Sequence, residues 1–200
     1  MNVLLFDFDG VIADTFSFCY RIMQARDGIS EDEYRARFEG NINDAPKKPL
    51  QNPLAKPFDF FGQYHPELMA CQPNEEMVKV VKELARTHTL IIISSTISSS
   101  IIQFLEMQGL ATFFKEVLGN DVEKSKVKKI SGVLERYHIA PTETVFITDT
   151  LGDIKEARAC GVASIAVTWG YHPVETLEKG SPYKIIDHPN KIIEVIQSME

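Results

Sequence analysis

The sequence predicts an α/β fold: a three-layer, Rossmann-like parallel sheet with a small helical cap inserted after the first strand. Three observations carry this expectation. Short apolar runs recur without polar alternation, as strands buried on both faces require. Helical patterns lie between them, and strand–helix alternation implies parallel strands joined by crossovers. Three of the runs end in carboxylates or hydroxyls, which is where an open parallel sheet gathers its ligands.

The first run, Val3 to Phe8, reads as a strand and ends in Asp7, Asp9 and Gly10. From Thr15 to about Pro73 the alternation stops. Helical pieces over Phe16 to Arg26 and Ser30 to Phe38 precede a stretch holding Pro46, Pro49, Pro53 and Pro57, then Phe58-Asp59-Phe60-Phe61. The spacing therefore predicts a core of residues 1–14 and 74–200, interrupted by a cap over 15–73. Asn74 to Arg86 is helical, with Met77, Val80, Val81 and Leu84 on one face. Leu90 to Ile93 is a strand ending in Ser94-Ser95-Thr96, and a short strand is expected near Glu116 to Leu118. Lys126 to Tyr137 is helical again. Thr144 to Thr148 is a strand ending in Asp149, and Asp153 to Cys160 a short helix stopped by Gly161. Ala163 to Thr168 and the weaker Tyr183 to Ile186 complete the strands, and Asn190 to Met199 closes the chain as a helix.

Composition bounds the partners. With 21 Lys+Arg against 28 Asp+Glu, the chain carries a formal charge of −7, which argues against a nucleic-acid or anionic-membrane surface. Cys19, Cys71 and Cys160 are odd in number and far apart, so neither a disulfide framework nor a zinc site is expected. The apolar N-terminus meets Asp7 too early for a signal-peptide core, and no apolar run is long enough to span a bilayer. A cytoplasmic protein, monomer or homodimer, is the expectation. The five histidines lack metal-ligand spacing and are assigned no role.

Asp7 and Asp9 are one residue apart, so in a strand they share a face. If Asp149 and Asp153 join them, four carboxylates occupy one crevice. Two like charges ~4 Å apart repel by about 4 kcal/mol at an effective dielectric near 20. A cation is therefore needed, and all-oxygen ligation suits Mg²⁺.

Four features in order resemble the four motifs of the haloacid dehalogenase superfamily: Asp7-Phe8-Asp9-Gly10-Val11, Ser94 at a strand end, a lysine before a helix, and Thr148-Asp149-Thr150-Leu151-Gly152-Asp153. The helical insert resembles the cap of the phosphoglycolate phosphatase-like branch. The resemblance implies a phosphatase acting on a small phosphorylated metabolite. Asp7 would attack phosphorus and form an aspartyl-phosphate, while Asp9 would protonate the leaving oxygen and then accept a proton from water. Mg²⁺ would be held by Asp7, the Asp9 carbonyl and Asp149, supported by Asp153. Ser94 and the Ser95 N–H would hold phosphoryl oxygens beside Gly10, and a lysine would neutralise developing charge. Lys126 is preferred for that role over Lys124, which lacks the prolines of a Lys-Pro-x-Pro entry. Thr148 departs from the usual glycine of the fourth motif.

Rivals are weaker on these residues. A dehalogenase lacks the second acid, and Asp9 is present. A phosphosugar mutase carries a cap histidine where this chain has Cys19. A phosphonatase needs a cap lysine, for which Lys47, Lys48 and Lys56 are the candidates. A non-catalytic binding protein would have no need of the full acid and lysine set.

Overall fold

The computed structural model describes residues 3–44 and 58–199. Six parallel strands form one sheet in the order β3-β2-β1-β4-β5-β6: β1 Val3–Phe6, β2 Thr89–Ile93, β3 Phe114–Leu118, β4 Thr144–Thr148, β5 Ala163–Val167 and β6 Lys184–Ile186. β1 lies between β2 and β4, pairing Val3 with Thr89 on one side and Thr144 on the other. The strand order turns around β1, and such a switch point opens a crevice beyond the carboxyl ends of the strands.

Both faces of the sheet are dry, which explains the runs without alternation. Leu4, Phe6, Ile92 and Ile147 enter one apolar cluster, while Val3, Leu5, Ile91 and Phe146 enter another with Ile130 and Val133 of α6 (Lys126–Tyr137). Neighbouring residues in a strand point to opposite faces, so each strand serves both layers.

Helix starts carry local polar signals. Ser125 Oγ accepts the Lys128 N–H at the head of α6, and Asn74 accepts from Glu76 and Met77 at the head of α4 (Glu75–Leu84). Between β1 and α4 lie α1 (Phe16–Asp27), α2 (Glu31–Ala36) and α3 (Phe60–Ala70). Ser30 and Glu33 close a capping box on α2, and Gly28, left-handed at φ 62°, stops α1. The proline-rich stretch from Pro46 to Pro57, with Lys47, Lys48 and Lys56, lies outside the described residues.

Several expectations change in detail. β1 ends at Phe6, two residues short of the expected limit, so Asp7 and Asp9 do not share the face of a strand. Asp7 donates its N–H to Ile147 as a last rung, and the chain then turns: the Phe8 carbonyl accepts from Ile12 and Ala13. The helix after β4 is α7, Leu151–Ala159, which places Asp153 inside its first turn rather than at its start. Helices α3 and α5 (Ser98–Met107) were not read from the sequence; α5 begins in a run of small polar residues that looks like loop. Short α8 (Val174–Glu178) and terminal α9 (Lys191–Met199) complete the elements. Among the described residues no helix is long and apolar enough to cross a membrane.

Candidate active site

The carboxyl ends of β1, β2 and β4 face a cavity of about 300 Å³, whose walls include Asp7, Asp9, Thr96, Lys126 and Asp153. Lys126 is its pivot. Its Nζ lies 2.8 Å from Asp7 Oδ2 and 2.6 Å from Asp153 Oδ2, and all three side chains are buried. Burial alone would pull the ammonium down, but Asp153 and then Asp7 reverse this and raise it. Lysine at the first position of α6 therefore stays charged. Lys124 is exposed and instead offers its carbonyl to Asn43.

The three acids around this cation differ. Asp153 is held low: burial opposes ionisation, but Lys126 and hydrogen bonds from its surroundings outweigh it. One of those bonds comes from Thr148 Oγ1 at 2.7 Å, so Thr148 steadies Asp153. Asp7 is pushed well up by burial, with Asp153 adding to the rise against the pull of Lys126. Its Oδ1 accepts the Phe8 N–H at 2.7 Å. Asp149 is fully buried and pushed up to about 7, first by burial. Asp149 Oδ2 takes the Tyr171 N–H at 2.6 Å, whereas Oδ1 is buried with no hydrogen-bond partner.

Glycine makes room for Asp149. A Cβ on Gly10, whose φ is +75°, would come 2.0 Å from Asp149 Oδ2, and one on Gly170 would come 2.2 Å from the same atom. The first glycine thus answers two needs, a left-handed turn and a close approach.

The β2 end places its hydroxyls unequally. Ser94 is buried; its Oγ accepts the Thr96 N–H and its carbonyl accepts from Lys129 Nζ at 2.6 Å. Ser95 and Thr96, rather than Ser94, reach the cavity wall. Burial, with Lys126 adding to it, pulls Lys129 down to about 8. Asp9 reaches the cavity through the turn after β1, its carboxylate accepting from Thr96 Oγ1 and from Tyr64 Oη of α3, each at 2.7 Å.

The structure thus brings together Asp7, Asp9, Ser95, Lys126 and Asp153 on one cavity, with Asp149 and Gly10 beside it. Asp14-Thr15 is expected to cap α1 from the sequence. Thr15 does occupy the cap position but accepts no bond there, and its hydroxyl pairs with that of Tyr171 at 3.0 Å. Sequence reasoning missed Tyr64 and His172. Neither stands in a motif, and their roles depend on contacts across 55 and 137 residues. His172 Nδ1 accepts the Leu151 N–H at the head of α7, and Nε2 donates to the Arg35 carbonyl.

Among the described residues no group of three or more His, Cys, Asp and Glu side chains is gathered to grip a metal ion. The donor set still fits a hard cation. Asp149 has a buried carboxylate oxygen without a partner, and desolvating such an atom is costly unless something binds it.

Known proteins resemble this chain over most or all of its length. Over its full length the chain is 24% identical to the phosphoglycolate phosphatase of Synechococcus elongatus, covering 99% of that protein. It is 27% identical to the protein named probable phosphatase IndB of Dickeya dadantii, over 96% of this chain and 91% of that one. The match to the phosphoglycolate phosphatase of Vibrio vulnificus, 28% identical, spans 69% of this chain and 61% of its relative. Among solved structures, a haloacid dehalogenase-like protein of Agrobacterium tumefaciens superposes with a TM-score of 0.76 at 19% identity, over 100% and 99% of the two chains. A haloacid dehalogenase-like hydrolase of Streptococcus pneumoniae gives 0.72 at 19% identity, covering 98% of each. The family profile matches residues 4–167, and on that extent the chain belongs to the haloacid dehalogenase-like hydrolases.

Proposed function

We propose that this hydrolase is a Mg²⁺-dependent, cytoplasmic phosphatase of small phosphomonoesters, working through an aspartyl-phosphate, with residues 15–73 as its cap. The observation that carries the reading is the buried Lys126 ammonium shared by Asp7 and Asp153 on the wall of the cavity. A cation fixed there offsets charge on a transferring phosphoryl group, where it acts with least solvent screening.

Asp7 stands to attack phosphorus, forming its O–P bond as the ester P–O bond breaks. Asp9 gives the departing oxygen a proton, then takes one from the water that attacks the phosphoryl-enzyme. Two acids can divide the work this way when their surroundings differ, and they do: Asp7 faces an ammonium, Asp9 two hydroxyls. Ser95 stands on the wall where phosphoryl oxygens would lie. Asp7, the Asp9 carbonyl and Asp149 would hold the Mg²⁺, with Asp153 in support, and the ion would screen the phosphate from the attacking carboxylate. The curated relatives named phosphoglycolate phosphatase make 2-phosphoglycolate the first ester to try. Cys19 on the cavity wall, where a mutase would carry histidine, weighs against phosphoryl transfer between sugar hydroxyls.

Purified protein with Mg²⁺ is expected to hydrolyse 2-phosphoglycolate or another ester in a phosphometabolite panel. Asp7→Asn should abolish turnover, because its amide cannot form the acyl phosphate. Turnover surviving in that variant would overturn the assignment.

A further inference from the structure

Asp9 is half-buried and lies beyond the end of β1, so the sheet does not fix its side chain. Two hydroxyls do. Thr96 Oγ1, from the loop after β2, donates to Oδ2, and Tyr64 Oη, from α3, donates to Oδ1. Different oxygens are held from different sides, which sets the plane of the carboxyl group as well as its position. Each oxygen keeps a second site for a proton or a further bond.

Tyr64 is built to hold still. Only 1% of it is exposed, and its ring stacks on Phe60 at 5.7 Å and meets Phe18 at 5.5 Å and Phe61 at 6.2 Å. It lies in the segment between β1 and α4, and α3 packs against α1 and α5. Docking that segment on the sheet therefore completes the surroundings of Asp9.

We infer that Tyr64 is a positioning residue for Asp9: together with Thr96 it aims the carboxyl at the oxygen that leaves phosphorus. The inference rests on the acid–base role read for Asp9 above. Its signature lies in the leaving group. An alkoxide is a poor leaving group and needs the proton from Asp9 as the P–O bond breaks, whereas p-nitrophenolate departs without it. Misaiming Asp9 should therefore slow transfer from an alkyl ester and spare transfer from the aryl ester.

The test compares kcat/KM, which reads the steps through P–O cleavage, for 2-phosphoglycolate and p-nitrophenyl phosphate. In Tyr64→Phe the value for 2-phosphoglycolate should fall about 10-fold or more, since small displacements of a catalytic group can cost 10²-fold. For p-nitrophenyl phosphate it should stay within about 3-fold, the scale left when no proton transfer is lost. Thr96→Val should repeat the split, and Thr96→Ser, which keeps the hydroxyl, should restore the alkyl-ester rate. Equal losses on both esters would mark Tyr64 as structural and overturn the inference, as would no loss on either. Turnover persisting in Asp7→Asn would strike the aspartyl-phosphate route and leave this inference to be judged by the ester comparison. If wild type turns over a different alkyl ester of the panel, that ester replaces 2-phosphoglycolate in the comparison; inactivity on p-nitrophenyl phosphate and on the whole panel would overturn the phosphatase reading, and this inference with it.

Discussion

Lys126 shows how one residue can hold a site in balance. Its ammonium is buried with Asp7 and Asp153, and neither acid has another cation within salt-bridge distance among the described residues. Replacing it by methionine keeps the bulk and leaves buried carboxylates uncompensated, a class of change that costs about 3 kcal/mol or more. Lys126→Met should therefore unfold at distinctly lower urea and lose phosphatase activity, whereas Lys124→Met, at an exposed position, should match wild type in both. Chemical denaturation and ester hydrolysis check the pair. The sequence offered both lysines as candidates, and the register of one helix turn separates them: Ser125 takes the cap position, so Lys126 opens α6 facing inward.

At the scale of elements, the head of α7 joins the sheet to the segment that precedes α3. The Gly152 N–H bonds the Phe38 carbonyl, Lys155 Nζ the Glu39 carbonyl, and His172 bridges Leu151 to Arg35. Burial pulls His172 below its ordinary 6.5, and accepting the Leu151 N–H requires Nδ1 to stay unprotonated. With the folded value depressed, the unfolded chain binds more protons as pH falls through 6.5. The stability His172 supplies is thus present above that pH and lost below it. His172→Leu should cost about 1–3 kcal/mol at pH 7.5, since it strands a buried N–H. The gap from wild type should narrow at pH 5.5, as read by urea unfolding at the two pH values. This joint also marks the limit of what the sequence reveals. Strands β2 and β4 and helix α6 were legible because burial on both faces and helical spacing leave local patterns. Asp7, Asp9, Asp149 and Asp153 were legible as polar groups at apolar strand ends. Tyr64 and His172 were not, because their partners are chosen by tertiary packing and not by neighbours in the chain.

For the whole molecule, net acidity and a buried acid set the response to pH and metal. Asp149 rises from an ordinary 3.8 to about 7, so without metal its folded form holds a proton that the unfolded chain releases. Its contribution to stability is therefore full below about 4 and lost as pH rises through 7. A divalent cation needs the ionised oxygen and must displace that proton. On the Mg²⁺ site proposed above, the ion should raise the melting temperature more at pH 8 than at pH 6, and Asp149→Asn should remove the difference. Thermal scans with and without Mg²⁺ read this directly. The central place of β1 has a further consequence, for the order in which the molecule assembles. The strand that leads into Asp7 is made before both of its neighbours, which begin at Thr89 and Thr144. Until Thr89 is made β1 has no partner, and until Thr144 it has a partner on one side only. Such distant pairing makes folding slow and postpones the crevice to its late steps. Chemistry placed at the middle of a parallel sheet waits for residues far along the chain, however early its first residues are made.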